Sequence, residues 1–193
     1  MMKKILVIQG NPSSDSLGSA LASAYADGAR GSGADVSVLD LSQLSFNPNL
    51  AGGYKRRTEL EPDLVRAQEL IREAEHLVFV YPVWWGTMPA LLKGFIDRVF
   101  LPGFAFKYRK GSMLWDKLLK GKSARLIVTL DTPVWYYYLV QGKPGHNAMK
   151  KTTLEFCGVK PVRTTNIGPV RQSSDERRSG YLTHIRKLGA AMG

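Results

Sequence analysis

Short apolar runs alternate along the chain with longer segments in which apolar residues recur every three or four positions. The runs Ile5-Leu6-Val7-Ile8 and Leu77-Val78-Phe79-Val80 are apolar at every position, which is typical of strands covered on both faces. The pattern predicts five strands, over residues 4–9, 35–41, 76–81, 125–130 and 161–167. It also predicts five helices, over residues 17–30, 62–75, 88–100, 145–156 and 175–188.

This alternation of strands and helices predicts an α/β fold. Consecutive parallel strands need a crossover connection, so five strands separated by helices indicate one parallel sheet with helices on both faces. Ligands of such sheets bind beyond the carboxyl ends of the strands. Because the chain has no internal repeat and no long linker, we expect residues 1–193 to form a single domain.

The composition is that of an ordinary globular protein, with 44% hydrophobic and 22% charged residues. No apolar run approaches the roughly 20 residues of a membrane-spanning helix. The apolar stretch at residues 5–8 is too short for a signal peptide and fits a first strand better. The single cysteine, Cys157, excludes an internal disulfide, which favours a reducing, cytoplasmic setting.

The charge is unevenly distributed. Residues 1–100 carry 10 basic and 11 acidic side chains, whereas residues 101–193 carry 17 and 5. A basic surface of this kind attracts nucleic acid, anionic lipid or a phosphorylated nucleotide, or is simply solvated. The sequence matches no zinc finger, RNA-binding sheet motif or basic zipper, so we expect no nucleic-acid partner.

The first segment with candidate chemistry follows the first predicted strand and leads directly into a helix. It reads Gly10-Asn11-Pro12-Ser13-Ser14-Asp15-Ser16-Leu17-Gly18. Backbone N–H groups at the amino end of a helix bind anions, and serine hydroxyls add donors. The segment has neither the dinucleotide-binding glycine pattern nor a P-loop lysine, which favours a flavin phosphate over a triphosphate. The alternative is a plain turn with Asp15 or Ser16 as the helix cap.

Two adjacent tryptophans, Trp84 and Trp85, follow the predicted buried strand 76–81 and precede Gly86. Two indoles in a turn expose a large apolar area unless a flat partner covers it. An isoalloxazine ring is such a partner. The alternatives are tryptophans that fill the core or that form a dimer contact.

The segment around these tryptophans resembles the signature of a known family. The run Pro82-Val83-Trp84-Trp85-Gly86, continued by Met88-Pro89-Ala90, Leu92-Lys93-Gly94 and Asp97-Arg98-Val99-Phe100, is similar to that of the NAD(P)H:quinone reductases (DT-diaphorase-like), within the flavodoxin-like superfamily. Further matching stretches are the loop 11–17, Phe46-Asn47-Pro48, Gly103-Phe104-Ala105-Phe106 and Leu154-Glu155-Phe156-Cys157-Gly158. The resemblance spans residues 4–170 in the family's order.

The resemblance implies a flavodoxin-like three-layer sandwich whose five parallel strands have the order 2-1-3-4-5. It implies a homodimer that holds FAD or FMN non-covalently and passes hydride from NAD(P)H, by a ping-pong route, to a quinone-like acceptor at the subunit interface. The residues that match the family's phosphate loop are Asn11, Asp15, Ser16, Leu17 and Gly18. Those that match the turn lining the isoalloxazine ring are Pro82, Val83, Trp84 and Trp85, followed by Gly86.

A third segment follows the fourth predicted strand. The family has a threonine-rich loop with glycines here that contacts the flavin, and the matching residues are Thr129, Leu130, Asp131 and Thr132, with Trp135 beyond them. Asp131-Thr132-Pro133 replace the glycines, as in some bacterial-type relatives. Residues 135–138 are four consecutive aromatics, too bulky to be buried on one strand, so we expect several to line a cavity or a dimer contact.

Animal-type members of the family place a tyrosine and a histidine next, where they handle charge and protons. Tyr138 falls at the tyrosine position, Pro144 occupies the histidine position, and His146 lies two residues later. Tyr138 and His146 are therefore the predicted catalytic residues, and the alternative for His146 is an ordinary surface histidine. No metal ligand set is predicted, and Cys157 is expected to be a buried packing residue.

Two alternatives to a quinone reductase are similar in fold. One is a flavin-binding ancillary or regulatory subunit of a membrane transporter, for which the basic second half would be a docking surface. The other is a one-electron carrier flavodoxin. The carrier fits poorly because those chains tend to be acidic and have little room for a nicotinamide, whereas this chain is basic and rich in tryptophan.

Overall fold

The computed structural model describes residues 2–53 and 58–191. Its main sheet contains five parallel strands, β1 (Lys4–Gln9), β2 (Asp35–Asp40), β3 (His76–Pro82), β6 (Ser123–Thr129) and β7 (Val162–Ile167). A separate antiparallel hairpin consists of β4 (Phe106–Tyr108) and β5 (Trp115–Lys117). The sheet order is β2-β1-β3-β6-β7, which is the predicted 2-1-3-4-5 when the strands of this sheet alone are counted. The hairpin was not predicted because three residues are too few for an alternating pattern to stand out.

The helices are α1 (Leu17–Gly31), α2 (Pro62–Glu73), α3 (Ala90–Val99), α4 (Val134–Leu139), α5 (Pro144–Asn147) and α6 (Asp175–Ala190). A short 3₁₀-helix, Leu41–Gln43, follows β2, and a π-helical segment, Ala148–Glu155, continues α5. All five predicted helices are present with small shifts at their ends, whereas α4 was not predicted. In the described parts of the chain, 2–53 and 58–191, no helix is both long and apolar enough to span a membrane.

The sheet has a hydrophobic core on each face, as the fully apolar strands predicted. Leu6 and Ile8 of β1 pack into the core on one face, while Ile5 and Val7 pack into the core on the other. The first core is covered by α2, α3 and the π-helical segment, through Leu64, Ile71, Phe95, Met149 and Leu154. The second is covered by α1 and α6, through Leu21, Tyr25, Ala29 and Ile185. Sheet and helices therefore form three layers.

Arg98, near the carboxyl end of the segment that resembles the family signature, is a structural residue. Its side chain is buried, and its guanidinium pairs with Glu61 at 2.7 Å and donates to the carbonyl of Glu59 at 2.9 Å. A further bond from Arg98 to the carbonyl of Asn47 joins the same loop region. The guanidinium thus links the segments before α2 to α3.

His76 is buried at the start of β3, with 2% of its surface exposed. Its Nδ1 atom lies 2.7 Å from the hydroxyl of Ser123. Burial lowers the pKa of His76 from 6.5 to about 4, and the positive charges of nearby lysine and arginine side chains add to that decrease. The folded protein therefore holds this imidazole in its neutral form.

We expect acid to destabilise the fold through His76. Between the unfolded pKa near 6.5 and the folded pKa of about 4, the unfolded chain binds more protons, so stability falls as the pH falls through this window and levels off below it. The loss attributable to His76 between neutral pH and roughly pH 4.5 is about 2 kcal/mol. Urea unfolding at both pH values measures it.

His76→Asn keeps a hydrogen-bonding group beside Ser123 but does not titrate in this range. Between neutral pH and roughly pH 4.5, its free energy of unfolding should therefore fall by about 2 kcal/mol less than that of the unmodified protein. His184→Asn, at an exposed position on α6, is the matched control and should keep the full pH dependence. The same acid sensitivity in His76→Asn as in the unmodified protein would contradict the assignment.

Candidate active site

The candidate site lies at the carboxyl edge of the parallel sheet. Backbone hydrogen bonds extend the strand pairing into its loops: Val83 donates to Thr129 at 2.7 Å, and Leu130 donates to Ile167 at 3.0 Å. The loops that leave β1, β3, β6 and β7 at this edge comprise residues 10–16, 83–89, 130–133 and 168–174. The three predicted site segments therefore leave the sheet at one edge, as the topology predicted.

The loop after β1 ends at the amino terminus of α1. Ser16 is the cap of this helix, because its hydroxyl accepts a hydrogen bond from the backbone N–H of Ser19 at 3.2 Å. Asp15 lies just outside and is exposed. The N–H groups of Leu17 and Gly18 belong to the first turn, where a helix offers no internal acceptors. N–H groups at such a position can bind an anion, which is the role that the sequence analysis expects of this loop.

A buried side chain that the sequence analysis missed shapes this loop. Gln9, the last residue of β1, donates from Nε2 to the hydroxyl of Ser19 at 3.0 Å and to the carboxylate of Asp40 at 3.2 Å. Its Oε1 accepts from the backbone of Asn11, whose own side chain accepts from the backbone of Ser13 at 3.0 Å. Asn11 thus organises the loop. A polar residue closing an apolar strand was the available signal.

Trp84 and Trp85 lie in a tight turn directly after β3. Trp84 and Thr87 exchange two backbone hydrogen bonds of 2.9 and 3.0 Å, and the central residues Trp85 and Gly86 have positive φ angles of 50° and 78°. This is the φ pattern of a type I′ turn, which is unusual for tryptophan. Trp84 is 48% exposed and Trp85 is fully exposed, so the alternative that they fill the core is wrong.

The turn is held from behind by Tyr137, the one fully buried member of the aromatic run. Its hydroxyl donates to the carbonyl of Gly86 at 2.9 Å and accepts from the N–H of Gly145 at 3.0 Å. A Cβ atom on Gly145 would lie 2.9 Å from the Cα atom of Thr87, so only glycine lets α5 approach this closely. Tyr137 and Gly145 therefore fix the position of the tryptophan turn.

The remaining predicted contacts lie between β6 and α4. Asp131 accepts a hydrogen bond from the backbone of Arg171 at 2.7 Å, so its carboxylate binds the neighbouring loop. Trp135 is 63% exposed on α4. Of the other predicted residues here, Thr129 and Leu130 are buried and Thr132 is half-buried. The aromatic run is helical rather than extended, which turns Tyr137 inward and Trp135 outward.

Asn166 of β7, which the sequence analysis missed, joins the two predicted catalytic residues. Its Oδ1 lies 2.7 Å from Nε2 of His146, and its Nδ2 donates to the hydroxyl of Tyr138 at 3.1 Å. Because Asn166 donates from its nitrogen, its oxygen must accept, so Nε2 of His146 carries the hydrogen. The hydroxyl hydrogen of Tyr138 is then left to donate elsewhere. A polar residue near the end of the last strand was the only sequence signal.

Comparisons with known proteins identify the family to which this fold belongs. Residues 3–188 match the family model described as flavodoxin-like fold. A crystal structure of a Streptococcus mutans protein is 30% identical with a TM-score of 0.81, over 97% of this chain and 98% of that one. An uncharacterized NAD(P)H oxidoreductase of Haemophilus influenzae is 28% identical over 92% of this chain and 89% of its own length. The human ribosyldihydronicotinamide dehydrogenase [quinone] is 29% identical, with 93% and 87% covered.

The chain belongs to the NAD(P)H:quinone reductase family of flavodoxin-like proteins. It is an oxidoreductase, as the resemblance predicted. The segments that match the family motifs, namely the helix-capping loop, the tryptophan turn and the Tyr138 region, together make up the candidate site.

His146 is not an ordinary surface histidine. His146 is buried, with 4% of its surface exposed, and its ring packs edge-on against Tyr138 with 5.6 Å between centroids. Burial lowers the pKa of His146, the bond to Asn166 opposes that decrease, and the charge of Lys143 adds to it. The imidazole is therefore neutral at neutral pH and donates through Nε2.

Cys157 has no part in this site. It is buried in the core beneath the π-helical segment, and burial raises the pKa of its thiol to about 12. A thiol in this environment stays protonated and is a poor nucleophile. The interpretation of Cys157 as a packing residue is confirmed.

Proposed function

We propose that this chain is a flavin-dependent NAD(P)H:quinone oxidoreductase in which one pocket serves both the nicotinamide nucleotide and a quinone-like acceptor. The observation that carries the proposal is the exposed tryptophan pair at the same sheet edge as the amino end of α1. Flat apolar surface beside an anion-binding helix terminus suits a cofactor with a ring system at one end and a phosphate at the other. The names of the human and Haemophilus influenzae relatives, a quinone-type dehydrogenase and an NAD(P)H oxidoreductase, support the same chemistry.

The residues present fit a non-covalent FAD or FMN. The first-turn N–H groups of α1 and the loop residues Asn11, Asp15, Ser16, Leu17 and Gly18 would hold the phosphate, and Trp84 and Trp85 would cover the ring. A bound flavin supplies the ability to accept a hydride and to donate two electrons. The matching parts of the next loop, Thr129, Leu130, Asp131 and Thr132, would contact the polar edge of the ring.

The protein's own contribution is orientation, exclusion of water and placement of one proton. The indoles of Trp84 and Trp85 provide a flat wall, held in place by Tyr137. The hydroxyl of Tyr138 accepts a hydrogen bond from Asn166. Its own hydrogen would then be directed at the bound substrate, where it would stabilise negative charge that develops on the acceptor or on the cofactor edge. His146 fixes the orientation of Asn166 from the other side.

The surface around the site supports a homodimer whose active site lies at the subunit interface. Beside Trp135, α4 and the residue after it expose further apolar side chains, namely Tyr136, Leu139 and Val140. Contiguous exposed apolar residues of this kind mark binding surfaces. We propose further that residues 1–193 act as a single flavin-binding domain and work in the cytoplasm, in keeping with the one buried, unpaired cysteine.

The decisive experiment begins with the colour of the purified protein. We expect a yellow protein, or a colourless one that becomes yellow on addition of FMN or FAD, and the mass of the released flavin identifies which one is bound. Initial rates with NADPH and 1,4-benzoquinone should then give parallel double-reciprocal lines, because both substrates share one pocket. Failure to bind either flavin would end the proposal, and intersecting lines would contradict the shared pocket.

Variants of Asn166 test the roles proposed for Tyr138 and His146 in handling protons. Asn166→Leu removes both hydrogen bonds, so the Tyr138 hydroxyl loses its orientation and turnover should fall about tenfold, while flavin affinity stays within about twofold. Asn166→Asp places a carboxylate beside His146, so the pKa of that imidazole should rise and the pH profile of turnover should move with it. An unchanged pH profile in Asn166→Asp would contradict the positioning role, even if turnover falls.

A further inference from the structure

A cavity of about 530 Å³ lies between the edge strand β7 and the helical segment that begins at α5. Half of its ten lining residues are lysine or arginine, and none is aspartate or glutamate. Lys143, Lys150 and Lys151 come from the helical side, and Arg163 comes from β7. This is where part of the excess positive charge of the second half of the chain is concentrated. The proposed function uses two uncharged residues of this lining, Tyr138 and His146, but none of its cations.

Among the residues that the structure describes, the lysines of this cavity have no carboxylate partner. In residues 2–53 and 58–191, the ion pairs within 4.0 Å involve other cations, and none includes Lys143, Lys150 or Lys151. The ammonium of Lys143 instead lies over the ring of Tyr138, 4.5 Å from its centroid. Like charges gathered around one hollow repel each other, and a bound anion would relieve that repulsion.

The cavity also contains groups suited to a specific ligand rather than a diffuse ion cloud. Thr164 and Asn147 line it with a hydroxyl and an amide. His146 lines it too, is nearly fully buried, and has an Nδ1 atom without a hydrogen-bond partner in the described part of the chain. An enclosed polar atom of this kind is uncommon unless a ligand or water completes its surroundings.

We propose that this cavity binds the phosphate group of a small phosphorylated molecule, at a site separate from the flavin phosphate loop. The volume lies in the range of small-ligand sites, and the cations surround one hollow instead of forming the stripe that a nucleic acid requires. The phosphate loop follows β1, whereas the cavity borders β7, three strand spacings or roughly 14 Å away across the sheet. This inference goes beyond the proposed function and does not depend on it.

The test is calorimetric titration of the purified protein with inorganic phosphate and, separately, with AMP as a phosphate ester, at physiological salt and with FMN both absent and saturating. We expect one saturable site with a dissociation constant of about 1 mM or tighter. Lys150→Glu and Lys151→Glu should each weaken binding about tenfold. Lys110→Glu makes the same charge change on an exposed residue of the β4–β5 hairpin, and it should leave binding unchanged.

The possible outcomes distinguish a phosphate ester from free phosphate, and a specific site from diffuse electrostatic attraction. Tighter binding of AMP than of inorganic phosphate identifies an ester ligand, and equal binding identifies free phosphate. Equal weakening by Lys110→Glu, or heat that never saturates, would show only diffuse attraction and would overturn the proposal. Binding to RNA or to anionic vesicles without any binding of the small phosphates would also overturn it. Flavin binding is read independently from absorbance, so failure here leaves the proposed function untouched.

A second readout comes from His146, which the cavity shares with the Tyr138–Asn166 contact. A dianion bound beside it favours the protonated imidazole, so NMR titration of His146 should show its pKa rising when phosphate is present. The imidazole signal of exposed His184 is the internal control, and adding phosphate should leave its chemical shifts at each pH unchanged. A signal of His146 that phosphate leaves unchanged, at concentrations that saturate the calorimetric site, would place the anion elsewhere on the protein and overturn the assignment.

Discussion

Gly189→Ala should destabilise the protein by about 3 kcal/mol, because α1 and α6 cross with almost no space between their backbones. A Cβ atom at position 189 would lie 2.1 Å from the carbonyl oxygen of Tyr25, which is backbone and cannot rotate away. The reverse contact is equally tight: a Cβ atom on Gly28 would lie 2.0 Å from the carbonyl oxygen of Arg186. Urea unfolding of Gly189→Ala and Gly28→Ala measures both losses.

Gly180→Ala is the matched control on the same helix. Nothing lies within 4 Å of a Cβ atom built at this position, and the residue is exposed. Alanine has the higher helix propensity, so this variant should be more stable than the unmodified protein, by up to about 1 kcal/mol. If Gly189→Ala proved as stable as Gly180→Ala, the two helices would not cross as closely as described.

The second large effect concerns flavin affinity. The double variant Trp84→Ala/Trp85→Ala should weaken the binding of FMN or FAD about 100-fold, because each lost aromatic contact contributes about 1 to 1.5 kcal/mol. Both indoles are exposed, so their removal should change the urea midpoint little. Titration followed by the flavin's fluorescence gives the dissociation constants, and unfolding curves confirm that the variant is folded.

Two companion variants separate the indole contact from other causes. Val65→Ala removes an exposed apolar side chain from α2, away from the site, and should leave the flavin dissociation constant unchanged. Trp85→Phe keeps a flat ring at the tip of the turn and should recover most of the affinity lost in Trp85→Ala. Equal affinities for the double variant and the unmodified protein would mean that the tryptophans bind something other than the flavin.

Glycine permits two different kinds of close approach in this protein. At Gly28 and Gly189 the missing Cβ atoms let two helices meet, which stabilises the layer behind β1. At Gly145 the missing Cβ atom lets α5 approach the tryptophan turn and contributes to the site. The segment that resembles the family signature also contains residues of both kinds, some at the site and some that stabilise the fold. Trp84 and Trp85 are exposed at the site, whereas Arg98 is buried in an ion pair with Glu61.

The local pattern of residues determined most of the architecture. Apolar runs at every position identified β1 and β3 as strands covered on both faces, because both side-chain directions of a buried strand must be apolar. Apolar residues recurring every three or four positions located the five helices. The alternation of strands and helices then indicated the sheet edge at which the site lies. It also placed Trp84 and Trp85 in a turn, since a strand end followed by two indoles and Gly86 has few other solutions.

The contacts that complete the site arise only in the tertiary structure. Asn166 meets His146 across 20 residues of sequence, and Tyr137 meets Gly86 across 51, so no local spacing marks either pair. The aromatic run 135–138 has no polar positions to show a helical period, and its helix α4 forms where Tyr137 can be buried. The sequence by itself determined which elements form and where their ends meet. Tertiary packing decided which polar side chains become partners, because hydrogen bonds between distant segments depend on the register and the crossing of whole elements.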